Sequence, residues 1–211
     1  MNILVLCPHL DDEMGVLPFV FYLKKRYAIK KIFFAYFSDC KRSALDLGYE
    51  ADILIKENIQ VLKELEIPLN NVRYFDFDVR SFDEKRQEIL DKMIELKKSF
   101  CPSIVVLPSS KDVHQDHSCI FREGVRCFKN EASLLGFSYL WNELNSNNNV
   151  FFEIDTEICS QVVSILSKYK SQKNRLYMKE DFIKANFIAT GIKIGKPMAV
   201  GYELIKGRFV L

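Results

Sequence analysis

The sequence has little of several features that mark particular classes of protein. Its 30 lysines and arginines nearly balance 28 aspartates and glutamates, and no basic run stands out, which argues against a nucleic-acid-binding protein. No stretch approaches the roughly 20 apolar residues of a membrane-spanning helix, and the N-terminus lacks the basic and long apolar segments of a secretion signal. We therefore expect a cytoplasmic protein without a membrane span.

Paired cysteines are also absent. The six cysteines are widely spaced and form no C-x-x-C pair, so we predict neither a disulfide framework nor an all-thiolate zinc site. Most of them should be small buried apolar side chains. No segment has the composition of a flexible linker, and 48% of the residues are hydrophobic, which is enough for a sizeable core. We expect a single domain over residues 1–211.

Short apolar runs alternate along the chain with longer segments of helical periodicity. The runs are rich in β-branched and aromatic residues, as in strands covered on both faces. They lie at 2–7, 31–38, 72–78 and 102–110. The segments after them, which have apolar residues three and four positions apart, lie at 14–26, 49–66, 83–99 and about 117–129. This alternation predicts an α/β fold with a Rossmann-like, mostly parallel sheet and helices on both faces.

Histidine is scarce, and all three histidines lie in two short clusters. His9 belongs to C-P-H-L-D-D-E, which directly follows the first predicted strand. His114 and His117 belong to H-Q-D-H, which follows the fourth. Ligands bind parallel sheets beyond the carboxyl ends of the strands. If these two strands are neighbours, as a doubly wound order allows, the clusters face each other at the mouth of the sheet.

A divalent metal would account for this grouping. Three His and Asp side chains with one position left for water form the open site of a catalytic zinc, whose bound water has a pKa of about 7. A tight turn in H-L-D-D can direct His9 and Asp12 at one ion and leave Asp11 as the candidate general base. His117 can complete the ligand set. The same ligands tolerate several divalent ions, so Fe²⁺ is an alternative to Zn²⁺.

The second cluster offers further groups for catalysis, and both clusters have simpler explanations. His114 stays free of the metal, with Asp116 available to accept its second ring proton and Asp112 as a candidate support. An acidic cluster after a strand can instead cap the next helix, and loop histidines are often only solvated. The coincidence of both clusters with all three histidines favours the metal site.

The two clusters resemble the signatures of a known family. P-H-L-D-D-E is similar to (P/A)-H-P-D-D-E, and H-Q-D-H to H-x-D-H, of the PIG-L or LmbE-like zinc deacetylases, which remove the acetyl group of N-acetylated amino sugars and related glycosides. Likeness extends over nearly the whole chain, including 124–143 and 169–177, and is typical of the subgroup found among surface-polysaccharide and sugar-modification enzymes.

The resemblance implies a role for each motif residue and a class of substrate. The metal ligands would be His9, Asp12 and His117, with zinc as the cofactor. Asp11 would be the general base, and His114, as an imidazolium oriented by Asp116, would stabilise the oxyanion or protonate the leaving amine. The expected substrate is a small sugar or a nucleotide-sugar.

Two departures from the family pattern and two other residues bear on the substrate. Leu10 replaces the usual proline, which removes a restraint on φ but no functional group. Thr190 stands where the family commonly has an arginine, which leaves the substrate open. Arg80 could contact a sugar or phosphate, or form a surface ion pair. Trp141, the only tryptophan, could stack on a sugar ring or pack at the rim of the core.

Three functions from different classes are consistent with the sequence. The first is a zinc-dependent N-acetyl amino-sugar deacetylase. The second is a metal-dependent phosphoesterase, which would need more bridging carboxylates than the sequence offers. The third is a non-catalytic sugar-binding protein, which would have no use for a base beside a metal. The sequence does not fix the sugar, its carrier, the acyl group or the oligomeric state, and it is compatible with a homo-oligomer.

Overall fold

A seven-stranded sheet organises the chain, for which a computed structural model describes residues 1–27 and 31–208. The strands are β1 (Ile3–Cys7), β2 (Ile32–Tyr36), β3 (Val72–Tyr74), β4 (Ile104–Pro108), β5 (Ser133–Phe137), β6 (Val150–Glu153) and β7 (Ala199–Lys206). Their order is β3-β2-β1-β4-β5-β7-β6. Strands β1 to β5 are parallel, and β7 runs antiparallel to both β5 and β6. The predicted mostly parallel α/β sheet is confirmed.

Helices cover both faces of this sheet. They are α1 (Leu17–Tyr27), α2 (Lys41–Asp46), α3 (Ile53–Glu64), α4 (Arg86–Phe100), α5 (Gln115–Phe128), α6 (Thr156–Leu166) and α7 (Glu180–Ile192). Alternate residues of β1 belong to two separate apolar cores, since successive side chains of a strand point to opposite faces. One core packs against α1, α3, α6 and α7, and the other against α4 and α5. Both faces of the sheet are therefore buried, which explains its near-continuous apolar strands.

The adjacency of β1 and β4 is the feature that positions the functional site. Ile3 pairs with Ile104 and Val5 with Val106 in parallel register. Both strands therefore end at the same edge of the sheet, and the two histidine clusters follow these ends. The two clusters can face each other only if the first and fourth predicted strands are neighbours, and the pairing of β1 with β4 meets this condition.

The structure differs from the predicted boundaries mainly at element ends. The helix predicted at 49–66 begins at Ile53, and the helix predicted from about 117 begins at Gln115. Helix α5 begins earlier than predicted because His114 caps it. The side chain of His114 accepts a hydrogen bond from the backbone N–H of Asp116. The assignment of residues 1–211 to one domain stays a prediction.

Two expectations about composition can be compared with the structure. All six cysteines are free, and all but Cys101 are buried, which confirms the expected packing role. None of the helices within residues 1–27 and 31–208 is both long and apolar enough to cross a membrane.

Candidate metal centre

The H-L-D-D turn buries its two aspartates to different extents. After β1 the chain enters a short 3-10 turn, Asp12–Gly15. The Asp12 carboxylate accepts a hydrogen bond from the backbone N–H of His9 at 2.7 Å. The backbone carbonyl of Asp12 accepts one from the Tyr139 hydroxyl at 2.6 Å. Asp12 is buried, whereas Asp11 is half-buried. The two aspartates therefore have different surroundings, and their separate roles stay a prediction.

Donor atoms of three residues from the two clusters converge, and each histidine nitrogen lies near a different carboxylate oxygen of Asp12. His9 Nδ1 lies 3.3 Å from Asp12 Oδ2, and His117 Nε2 lies 3.4 Å from Asp12 Oδ1. The two ring nitrogens, His9 Nδ1 and His117 Nε2, are 3.3 Å apart. Ligand atoms about 2.1 Å from a tetrahedral zinc lie about 3.4 Å from one another. His9, Asp12 and His117 therefore fit one small divalent cation.

Each of these two histidines has a buried carboxylate at its other ring nitrogen. His9 Nε2 lies 2.9 Å from Asp116 Oδ2, and His117 Nδ1 lies 2.8 Å from Asp112 Oδ2. A carboxylate in this position keeps the ring proton on the nitrogen that faces the carboxylate. The other ring nitrogen, which faces the convergence point, is then free to bind a metal. This arrangement is the usual one around metal-ligating histidines, and it supports the fit of a cation here.

The charges around His9 and Asp12 also favour a cation. Burial lowers the pKa of His9, but the carboxylates of Asp12 and Asp116 outweigh burial and raise it to about 10. Burial raises the pKa of Asp12, but the neighbouring His117 and His9 outweigh it and lower the value to about 2. The carboxylates thus concentrate negative charge at the point where the donor atoms meet. A metal binds such a site in competition with protons.

His114 differs from the other two histidines in the nitrogen it uses. Its Nδ1 accepts a hydrogen bond from the Asp116 N–H at 3.2 Å. A neutral ring with an accepting Nδ1 carries its proton on Nε2, which then acts as a donor. Burial, with the charges of His9 and His117, lowers the pKa of His114 to about 4. With Nδ1 accepting the cap hydrogen bond, the ring of His114 is neutral in this arrangement, and the imidazolium that the resemblance implies stays a prediction.

The predicted contact between Asp116 and His114 is wrong in one respect. The Asp116 carboxylate does not hold the ring of His114, since it contacts His9 and accepts the Arg80 N–H at 2.7 Å. Only the backbone N–H of Asp116 contacts His114. A nitrogen of each of the three histidines lies within 4.8 Å of the others, so His114 is also close enough to be an alternative ligand.

Asp11 lies beside this centre in a cavity of about 300 Å³. Burial and the adjacent Asp12 raise the pKa of Asp11, which makes its carboxylate a stronger proton acceptor. The wall of the cavity also includes His9, Asp12, Arg80, His114, His117, Tyr139, Trp141, Gln172, Arg175 and Tyr177. All the sequence-predicted site residues except Asp116 are therefore part of one cavity wall, and Asp116 lies directly behind His9.

Comparison with known proteins identifies the family. The model of the PIG-L family, described as GlcNAc-PI de-N-acetylase, matches residues 4–128. The chain belongs to the PIG-L family. The resemblance seen in the two motifs is thus confirmed. No curated protein sequence matches this PIG-L family member at a significant level.

Solved structures share the fold of this PIG-L protein at low sequence identity. The N,N'-diacetylchitobiose deacetylase from Pyrococcus horikoshii has a TM-score of 0.77 and 16% identity, and the match covers 96% of this chain and 82% of that one. The zinc-inhibited form of teicoplanin deacetylase Orf2 has a TM-score of 0.72, 15% identity and coverage of 96% for both chains. GalB, the 4-carboxy-2-hydroxymuconate hydratase of Pseudomonas putida KT2440, has a TM-score of 0.75 and 13% identity, with 100% and 99% covered. These likenesses establish the fold.

The two predicted substrate contacts both reach the cavity of this PIG-L protein. Arg80 has a φ of 70°, and its exposed guanidinium lies 3.4 Å from Asp46 Oδ2. Trp141 is stacked nearly parallel to Tyr139, at 4.7 Å between centroids, and to Tyr177, at 4.1 Å. The indole therefore already has two stacked aromatic partners, and its contact with a substrate stays a prediction.

The C-terminal departure from the family pattern lies outside this cavity. Thr190, at the position where the family commonly has an arginine, lines a separate and smaller cavity with Phe182 and Phe187. The arginine that lines the cavity beside the candidate metal centre together with Arg80 is Arg175, which the sequence did not indicate. The segment 169–177 was noted for its resemblance, but a single arginine in a polar segment carries no signal of where its side chain lies.

A buried polar network lies beneath the H-L-D-D turn. The Leu10 carbonyl accepts hydrogen bonds from the Tyr169 hydroxyl at 2.5 Å and the Asn58 amide at 2.9 Å. Glu13 Oε1 contacts the same tyrosine and the same asparagine. Burial raises the pKa of Glu13 well above its usual value. The network fixes the backbone between His9 and Asp11.

Proposed function

We propose that this PIG-L family protein hydrolyses the N-acetyl group of an amino sugar or sugar conjugate, using a divalent cation, in the first place Zn²⁺. The observation that carries the proposal is the convergence of His9, Asp12 and His117 to within 3.3–3.4 Å of one another. Membership of the PIG-L family, whose model is described as GlcNAc-PI de-N-acetylase, supports the proposal. Structural neighbours named as deacetylases of N,N'-diacetylchitobiose and of teicoplanin support it as well.

His9, Asp12 and His117 would hold the cation. When bound, it would polarise the amide carbonyl and make the attacking water more acidic. Asp11 accepts a proton from that water as it attacks the acetyl carbon. His114 donates its Nε2–H to the oxygen that becomes negative in the tetrahedral transition state. The carbon–nitrogen bond then breaks, the proton passes to the leaving nitrogen, and acetate and the free amine are released.

The supporting carboxylates have a separate task in this proposal. Asp112 and Asp116 keep the rings of His117 and His9 in the tautomer that directs a lone pair at the cation. The Asp112 carboxylate also accepts a hydrogen bond from the backbone N–H of His114 at 2.9 Å. One carboxylate thus fixes both the ligand His117 and the loop that carries His114.

Acetate release from acetylated sugars by the metal-loaded protein tests the proposal. One equivalent of Zn²⁺ or Fe²⁺ is used, because one neighbour is described in a zinc-inhibited form. We expect Asp11→Asn to lower kcat by about 10²- to 10⁴-fold and to keep the metal, since Asp11 is not among the converging donors. Metal content is measured by elemental analysis, and Asp91→Asn, an exposed aspartate of α4, serves as the control.

Each of three outcomes would contradict a different part of the proposal. Full activity in Asp11→Asn would remove the base assignment. Full activity after removal of the metal by a chelator would remove the metal mechanism. Release of phosphate from sugar phosphates, without release of acetate, would favour the phosphoesterase alternative.

A further inference from the structure

A carboxylate from β7 holds the turn that follows β4. Glu203 Oε2 accepts a hydrogen bond from the backbone N–H of Ser110 at 2.7 Å, and Glu203 Oε1 accepts one from the Ser110 hydroxyl at 2.6 Å. The Asn147 amide donates to the same Oε1 at 3.2 Å. Glu203 is only 8% exposed, and a carboxylate so buried needs donors of this kind because leaving it unpaired is costly. Its side chain is therefore fixed on Ser110.

Gly136 of β5 leaves the space through which Glu203 reaches this turn. It pairs with Glu203 in the antiparallel ladder of β5 and β7. A Cβ atom at position 136 would lie 2.9 Å from Ser109 Cα, which is too close, and 3.4 Å from Glu203 Oε2. Glycine within a strand often marks such a close approach. The carboxylate of β7 can therefore extend across β5 to the end of β4.

The turn held by Glu203 ends at a residue that supports the candidate metal centre. Ser110 lies within the turn 109–112, in which the Asp112 N–H donates to the Ser109 carbonyl at 3.4 Å. The Asp112 carboxylate contacts His117 Nδ1 at 2.8 Å and the backbone N–H of His114 at 2.9 Å. A shift of Ser110 would therefore move Asp112, and with it the ring of one proposed metal ligand.

Two glutamates contact this turn, and they hold different parts of it. Glu143 contacts the Ser109 hydroxyl, but it is half-buried and this contact is to a side chain. Glu203 is buried and accepts the backbone N–H of Ser110. The Asp112 carbonyl, on the other side of the turn, accepts the Ser118 hydroxyl of α5 at 2.8 Å. Asp112 is thus held between α5 and a turn whose backbone Glu203 fixes.

We propose, on the basis of the proposed metal-dependent deacetylation, that Glu203 is a positioning residue of the candidate metal centre. It holds Ser110, sets the turn 109–112, and through this turn places the Asp112 carboxylate that orients His117. Glu203 contacts neither the substrate nor the cation in this proposal. Its effect is on the affinity of the centre for the metal.

The dissociation constant of Zn²⁺ tests the proposal. It is measured by competition with a chromophoric chelator, on variants shown to be folded by circular dichroism. We expect Glu203→Ala to raise Kd about 5- to 30-fold, because a supporting carboxylate that is poorly held weakens its histidine ligand. Glu203→Gln should raise it less than about threefold, since its amide oxygen can accept the Ser110 N–H. Glu153→Ala, which removes an exposed carboxylate of β6, is the control.

A double-mutant cycle distinguishes positioning through Asp112 from a general loosening of the fold. Asp112→Ala should raise Kd about 10- to 100-fold by itself. If Glu203 acts through Asp112, adding Glu203→Ala to Asp112→Ala should raise Kd by less than about a further twofold. The same factor for Glu203→Ala with and without Asp112 would overturn the proposal.

A milder variant tests the same contact without disturbing the core. Ser110→Ala removes the hydroxyl that donates to Glu203 from a half-buried position and keeps the backbone N–H. We expect Kd to rise about 2- to 5-fold, as for the loss of one hydrogen bond. An unchanged Kd in Ser110→Ala would contradict the proposal even if Glu203→Ala does not fold.

These titrations contain no sugar, which separates this inference from the proposed deacetylation. A loss of Zn²⁺ affinity in Glu203→Ala that depends on Asp112 supports the positioning role even if no acetylated sugar is hydrolysed. An unchanged Kd in folded Glu203→Ala contradicts the positioning role even if the unsubstituted protein releases acetate.

Discussion

Single residues of this PIG-L family member differ in role because their ring nitrogens have different partners. His9 and His117 each face a buried carboxylate with one nitrogen and the convergence point with the other. His114 uses Nδ1 to cap α5, so its free nitrogen carries a proton. In the proposed mechanism, one residue type thus supplies two ligands and one hydrogen-bond donor within the same cavity.

The different role of His114 gives a testable prediction at this scale. His114→Asn keeps a good N-cap for α5 but removes the Nε2–H donor. We expect kcat to fall about 10²- to 10³-fold, as for the loss of an oxyanion-stabilising donor, with the amount of bound metal unchanged. Steady-state kinetics and metal analysis on the same preparation measure both. Loss of the metal in this variant would instead make His114 a ligand.

At the scale of elements, the H-L-D-D turn depends on residues from distant parts of the chain. Tyr169, 159 positions from Leu10, donates to its carbonyl, and Asn58 of α3 donates to the same oxygen. These contacts hold the turn between β1 and α1 from beneath. The proline of the family signature is replaced by Leu10, and the two donors constrain the backbone at that position.

Tyr169→Phe tests how much this network contributes to stability. The substitution removes one donor to the Leu10 carbonyl and leaves Glu13 without its hydroxyl partner in the core. We expect the free energy of unfolding to fall by about 1–3 kcal/mol, the cost of leaving a buried polar group unsatisfied. Urea denaturation measures the change. Tyr27→Phe, at a position 63% exposed, is the control and should change stability by less than about 0.5 kcal/mol.

At the scale of the whole molecule, the candidate metal centre connects segments that are far apart in the sequence. His9 follows β1, and His117 lies on α5, 108 positions later. The parallel pairing of β1 and β4 brings the ends of both strands to one edge of the sheet. A cation bound there would bind the folded chain and not the unfolded one, so it would stabilise the fold by linkage.

Thermal unfolding with and without metal measures this linkage. At a free metal concentration about 1,000 times Kd, linkage supplies about 4 kcal/mol, which corresponds to an increase in Tm of about 8–16 °C for a chain of this size. We expect that increase with Zn²⁺ and its reversal by a chelator. His117→Asn, which removes one of the three donors, should show little metal-dependent shift. A Tm that does not respond to metal in the unsubstituted protein would contradict the assigned donor set.

Much of the fold and of the candidate centre followed from local patterns. The strands β1 to β4 were predictable because parallel strands buried on both faces are continuous apolar runs. The sequence pattern does not predict β5, β6 or β7. Strands β6 and β7 are partly exposed and lack such runs, and the short buried strand β5 is interrupted by Gly136. The different directions of the Asp11 and Asp12 side chains follow from their adjacency, because neighbouring side chains of a tight turn point in different directions.

The sequence by itself determined which residues follow the ends of the central strands, and only the pairing of β1 with β4 brought His9, Asp12 and His117 together at one edge of the sheet. Only the tertiary structure decided that Asp116 supports His9 rather than His114, that Trp141 stacks with tyrosines, and that Arg175 reaches the cavity. The physical reason is that apolar runs and helical periodicity are local, repeated signals, whereas strand order is set by packing. A single polar contact between residues 107 positions apart, as between His9 and Asp116, depends on how helices and loops pack, and it leaves no pattern in the chain.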